Sequence, residues 1–215
     1  MKMQSILGMM GGAMGLGLLG SCLAVAQNPP QAQPPMTFFL TSNGPGKGAN
    51  LGGLAGADAH CQKLAAEVGA GNRTWRAYLS TQGPNAVNAK DRIGKGPWHN
   101  AKGDMIGESV AELHSMAHRI SDRTIMDERG RKIPGGGYVP NRHDVLTGTQ
   151  LDGTAYPPGA DMTCGNWTKT DDNGKARIGH FDRAAWNSAH DNRGCTAEGV
   201  KPGGGDGLFY CFAAD

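Results

Sequence analysis

From His180 to Asp191 the chain sets out polar side chains of the kinds that bind hydroxyl groups: His180, Asp182, Asn187, His190 and Asp191. Trp167 and Trp186 lie close by in sequence, and Trp98 stands in the earlier loop GKGPWHN. Amides and carboxylates that hydrogen-bond hydroxyls, beside an indole on which a sugar ring can lie, make a carbohydrate-type pocket. The competing reading puts Trp186 in the core, with Asn187 and His180 bonded to the backbone of a glycine-rich loop. Catalysis has weaker signals. Ser188 and His190 are two residues apart, but no G-x-S-x-G elbow surrounds the serine and no third group orients the pair. Asp182 and Asp191 serve as an acid/base couple only if the fold brings them within about 5 to 10 Å. His114 and His118 stand one turn apart, yet HSMAH lacks the glutamate of H-E-x-x-H and a third ligand. The expectation is a non-catalytic binding module with no catalytic residues.

These residues need a frame, and the chain supplies it in short pieces. MTFFLTS from Met36 is β-prone, and the Gly/Asn-rich SNGPGKGANLGG after it is loop. Ala57 to Val68 carries Ala, Leu and Cys61 at helical spacing and stops at Gly69, which predicts a helix with Cys61 on its buried face. Thr74 to Thr81 alternates, which predicts a strand with Trp75, Ala77 and Leu79 on one face and Arg76 and Tyr78 on the other. Short helices are expected around Asn88 to Ile93 and over Ser109 to Met116, the second with a Ser cap and Glu112 at the capping-box position. Asp127 to Asp161 is polar and rich in Gly and Pro, an ordered binding loop interrupted by a strand at Asp144 to Gln150. Asn173-Gly174 reads as the two-residue turn of a hairpin between GNWTKT and KARIGHF, and LFYCFA closes the chain as a last strand.

The first 26 residues have the layout of a secretory signal: Lys2, an apolar run from Ile6 to Leu19, then small residues. Two processing readings stay open. Ala24-Val25-Ala26 is an A-x-A site, while Leu19-Gly20-Ser21-Cys22 resembles a lipobox that would acylate Cys22 and leave residues 1 to 21 as the signal. Either way the chain is expected to be exported, to the periplasm, the cell surface or the medium, the lipidated form as an outer-membrane lipoprotein. A Pro-rich tether, 27 to 35, precedes the domain of 36 to 215.

Export leaves Cys61, Cys164, Cys195 and Cys211, so two disulfides are the default, and four cysteines allow three pairings. The mature chain of about 190 residues suits one domain. With 35 glycines in 215 residues and 6% aromatics, it should carry long ordered loops on a modest scaffold. A formal net charge of +2, with no Lys/Arg run, favours neither nucleic acid nor an anionic membrane as partner. Any membrane contact is expected through Cys22 alone.

The order of these features resembles the C-type lectin-like domain: a β-prone first strand, a helix with Cys61, then Cys164, Trp186-Asn187, Cys195 and a terminal strand with Cys211. GADAHCQKLAAEVGAGNRTWRAYLS looks most like the collagen NC10/endostatin branch, where a Cys-bearing helix runs into a W/F-R-A-x-L-S strand. The resemblance covers about Phe38 to Phe212. It implies an α+β fold with short helices around small antiparallel sheets, a long loop region, and the pairings Cys61 with Cys211 and Cys164 with Cys195. It also implies an extracytoplasmic module that binds a glycan or, as an alternative, a cell-surface protein without metal. In calcium-dependent members a Pro-bearing loop and a Trp-Asn-Asp supply the ion's oxygens. Here Ser188 replaces that Asp and the loop reads Tyr156-Pro157-Pro158, with Val139-Pro140-Asn141 farther off. Asn187, Asp161 and Asp191 are the residues left to hold Ca2+, fewer than the six to eight oxygens it wants. The histidine zinc site of endostatin does not carry over, because no His precedes His60.

Overall fold

The computed structural model describes residues 33–215, which form one compact unit. The secretory signal, the acylation candidate Cys22 and most of the Pro-rich tether lie outside the described residues. No described helix is long and apolar enough to cross a membrane.

The molecule is organised around its last strand. We number the strands β1 Phe38–Leu40, β2 Trp75–Ala77, β3 Trp98–His99, β4 Met105–Gly107, β5 Asp144–Leu146, β6 Arg177–His180, β7 His190–Asp191 and β8 Gly205–Ala213. The helical pieces are α1 Gly53–Glu67, α2 Val110–Leu113 and α3 Cys164–Trp167, with a 3-10 turn at Ala89–Arg92. β1 and β2 both pair antiparallel with the C-terminal half of β8, and β5 runs parallel to its N-terminal half. β6 and β7 extend the sheet beyond β5 as antiparallel neighbours. β3 and β4 make a separate two-stranded ribbon. The β5–β8 pairing departs from the expected all-antiparallel arrangement; the long, disulfide-pinned connection between these strands lets them lie side by side in the same direction.

Side-chain alternation along β8 explains why it is the centre. Phe209, Cys211 and Ala213 point into one apolar cluster with Leu64, Trp75 and Ile178. Leu208, Tyr210 and Phe212 point into a second with Tyr78, Trp98 and Trp186. A strand buried on both faces reads as a continuous apolar run, which is what LFYCFA shows. α1 covers the first cluster and brings Cys61 onto Cys211, with S–S 1.96 Å. It starts earlier than its periodicity predicts, because the Gly56 amide already bonds Gly52 O at 3.2 Å. Tyr78 does not follow Arg76 to the solvent. Its amide continues the ladder to Tyr210 O at 2.9 Å, and the ring is buried in the second cluster.

The hairpin expected around Asn173-Gly174 is absent. Neither residue has the positive φ that a type I′ turn demands, and residues 171 to 174 form a bend. GNWTKT is not a strand either. Cys164 to Trp167 make a single left-handed turn, with φ between 48° and 67° at all four residues. The second disulfide, Cys164 to Cys195, anchors it; Trp167 Nε1 donates to Ser80 O at 2.8 Å, and the Asn166 side chain bonds the Gln82 backbone on both sides. Tertiary bonds have overridden the local turn preference.

Two disulfides place the chain in an oxidising, extracytoplasmic setting. The fold is α+β, with short helices and small sheets.

Candidate functional site

The edge of the sheet formed by β6 and β7 carries most of the polar residues singled out by sequence, and strand alternation divides them. Arg177 faces Asp191 across the ladder, and Ile178 faces His190. Cross-strand partners share a face, and successive residues alternate. His190 therefore lies with His180, while Asp191 lies with Arg177.

On the Arg177 face, the guanidinium is fixed at three points. Its Nε donates to Ser188 Oγ at 3.0 Å, Nη1 to Asp191 Oδ1 at 3.1 Å and Nη2 to Ala189 O at 2.9 Å. Tyr156 Oη lies 3.4 Å from Ser188 Oγ. Arg177, Ser188 and Tyr156 form, with Gln150, Leu151 and Asp152, a groove of about 350 Å3. The Thr154 hydroxyl and then its amide bond the Asp152 carboxylate and hold its pKa below the ordinary value, so the groove keeps a fixed negative charge beside a fixed positive one.

The calcium set does not converge. Asp191 is paired with Arg177. Asp161 accepts from the Thr163 and Gly165 amides and from Lys169 Nζ at 3.2 Å. Asn187 is buried, its Nδ2 bonded to Tyr78 Oη, Gln150 O and Leu151 O at 3.0 to 3.2 Å. A guanidinium sits among the groups that would have faced an ion. The two candidate indoles are likewise interior: Trp186 Nε1 donates to Leu113 O at 3.0 Å and Trp98 Nε1 to Ile93 O at 3.1 Å. Neither offers a platform, because the sheet is buried on that face as well.

On the other face the sequence reading missed two members of a cluster. β5 pairs Asp144 directly with His180, and His143 precedes it. Asp144 Oδ1 lies 3.2 Å from His143 Nε2, 3.0 Å from His180 Nε2 and 3.8 Å from His190 Nε2. The His143 and His180 rings stack, with centroids 4.2 Å apart. Asp182 accepts from His143 Nδ1 at 3.1 Å and from the Gly136 amide at 2.8 Å. Burial pushes its carboxyl up, and those two bonds outweigh it to leave the pKa low. Asp182 and Asp191 thus belong to separate networks. Among the described residues, His143, Asp144 and His180 are the one group of three or more His, Cys, Asp or Glu side chains close enough to share a cation. The available signal was an acid and a histidine at the mouth of a predicted strand, where apolar residues are the rule.

His114 of the HSMAH pair is half-buried and engaged at both ring nitrogens: its Nε2 meets Tyr78 Oη at 2.7 Å and its Nδ1 meets Val110 O at 2.8 Å. His118 Nε2 meets Ala184 O instead.

No protein-family model and no curated protein matches this chain.

Proposed function

We infer that this is an exported, non-catalytic binding module of the C-type lectin-like kind that takes a glycan in the groove between Tyr156 and Arg177. The observation that carries the reading is the chemistry of that groove. Arg177 and Asp152 line it with opposite charges together with the Ser188 and Tyr156 hydroxyls, beside the exposed Leu151. Such a mixture suits a ring with many hydroxyls, which needs both donors and acceptors and one apolar surface. Support for the lectin-like part comes from two features that the resemblance implies: the Cys61–Cys211 bond and the Cys164–Cys195 bond that closes the loop region. Ser188 brings the Asn187–Asp191 segment to the groove, and Tyr156 brings the loop before Cys164. With Arg177 seated on Ser188 and Asp191, capture needs no Ca2+.

The test is a glycan array probed with the oxidised protein, with and without chelator. Binding that persists in chelator and disappears in Tyr156→Ala supports the reading. Binding that requires Ca2+ sinks the metal-free mechanism. An array with no binding sinks the glycan, and favours a second reading, a protein-binding or adhesive module. That alternative draws on the loop tip at Tyr138 and Val139, which are 67% and 100% exposed. Display on the periplasmic or outer surface, free or through an acylated Cys22, fits either.

A further inference from the structure

We propose that His143, Asp144, His180 and His190 bind a divalent transition cation, with Zn2+ the best match to the donor set. The site is separate from the groove, on the opposite face of the same strands.

Asp144 gives the first reason. The residue is 3% exposed, and among the described residues neither carboxylate oxygen receives a hydrogen bond; His180 Nε2 is equally without a partner there although it lies 3.0 Å from Asp144 Oδ1. A buried carboxylate with no donors is strongly disfavoured. Nearness without hydrogen-bond alignment leaves the nitrogen and the oxygen side by side with no proton shared between them.

The second reason is the tautomer that the neighbours of the rings select. His143 Nδ1 is held by Asp182 and His190 Nδ1 by Asp191 O at 2.9 Å. When Nδ1 carries the proton in each ring, Nε2 is left with the lone pair, 3.2 Å from Asp144 Oδ1 at His143 and 3.8 Å from it at His190. Nitrogen lone pairs so near a buried carboxylate are unfavourable unless a cation lies between them. Asp182 on His143 is the carboxylate–histidine support that orients a metal-binding imidazole.

Distances and donor chemistry then select the ion. Donors bound to tetrahedral zinc at about 2.0 to 2.1 Å stand about 3.3 Å from one another. The separations of Asp144 Oδ1 from His143 and His180 Nε2, 3.2 and 3.0 Å, lie near that value, and the donor atoms of these three residues fall within 4.8 Å of one another, while His190 Nε2, 3.8 Å from Asp144 Oδ1, stands just outside that group. Three imidazoles and one carboxylate suit a borderline ion and disfavour Ca2+, which takes oxygen alone. The backbone is shaped to the cluster. A Cβ at Gly203, which has φ +102°, would meet Asp144 Oδ2 at 2.8 Å. His143 Nε2 also lies 3.2 Å from Gly203 O, so a protonated His143 bonded to that carbonyl is the competing arrangement, in which a proton supplies the charge.

The experiment strips the oxidised protein with chelator and titrates it with Zn2+ by calorimetry, with Ca2+ as control and Co2+ as a spectroscopic probe. The expected result is one saturable Zn2+ per chain, no heat with Ca2+, and the strong visible absorption of four-coordinate cobalt. Asp144→Asn should weaken Zn2+ at least about 100-fold, since loss even of a supporting residue costs 10- to 100-fold. His190→Ala, at a side chain 44% exposed and so safe for folding, should weaken it and change the cobalt spectrum. If wild type takes up no stoichiometric zinc, or if both variants bind as tightly as wild type, the protonated cluster is correct and the proposal falls. Tyr156→Ala should leave the titration unchanged, so failure here is distinguishable from failure of the glycan reading.

Discussion

Asn187 shows how one residue type can carry two opposite meanings. In sequence it follows a tryptophan in a polar loop and reads as a ligand contact. In the structure it is 1% exposed, and its amide ties Tyr78 Oη to the Gln150 and Leu151 carbonyls. Its role is to hold the back wall of the groove. Asn187→Ala takes a donor from the buried Tyr78 Oη and from the part-buried Gln150 and Leu151 carbonyls, and should cost about 2 kcal/mol. For a domain of this size that is a fall in Tm of roughly 4 to 8 °C, measurable by calorimetry. A variant as stable as wild type would show that these bonds contribute nothing. His143 and Asp144 are the converse: unremarked in sequence, they become prominent only when β5 lays Asp144 opposite His180.

At the scale of elements, the left-handed turn Cys164–Trp167 is the clearest case of structure imposed from outside. Left-handed helical backbone costs about 1 to 2 kcal/mol per non-glycine residue, and Cys164, Asn166 and Trp167 all adopt it. Asp161 is one of its restraints. Partial burial pushes the carboxyl up, but the Thr163 and Gly165 amides and Lys169 outweigh it and leave the pKa below its ordinary 3.8. A folded-state pKa below the unfolded one adds stability that is present above the unfolded value and lost as pH falls through the folded one. Wild type should therefore exceed Asp161→Asn in stability at neutral pH, and the gap should close as pH drops below 3.8. Urea melts across a pH series would show it; a gap constant into acid would mean that Asp161 acts only through its shape. β7 makes the complementary point. Two residues long, it turns His190 and Asp191 to opposite faces, so a constellation contiguous in sequence serves two sites.

At the scale of the whole molecule, the two disulfides close loops of very different size, with separations of 150 and 31 residues. Chain entropy assigns about 5 and about 4 kcal/mol to them. The Cys61→Ser/Cys211→Ser pair should thus lower the denaturant midpoint more than Cys164→Ser/Cys195→Ser. Hydrogen exchange in the second variant should loosen residues 161 to 195 selectively, and a uniform loosening would contradict this division. The sequence alone determined what local pattern and composition can carry: the Cys61 helix, the apolar last strand, the capped turn at Ser109, the ordered Gly-rich loops and the oxidising compartment. These follow from nearest neighbours and from counting. The tertiary structure decided what depends on distant partners. A parallel β5–β8 pair, a left-handed turn where a hairpin was expected, and the burial of Trp186, Trp98 and Asn187 all arise from contacts across long loops. So does the meeting of His143, Asp144, His180 and His190. Short strands have little register information of their own, and here the paired partner, not the spacing along the chain, brings the chemistry together.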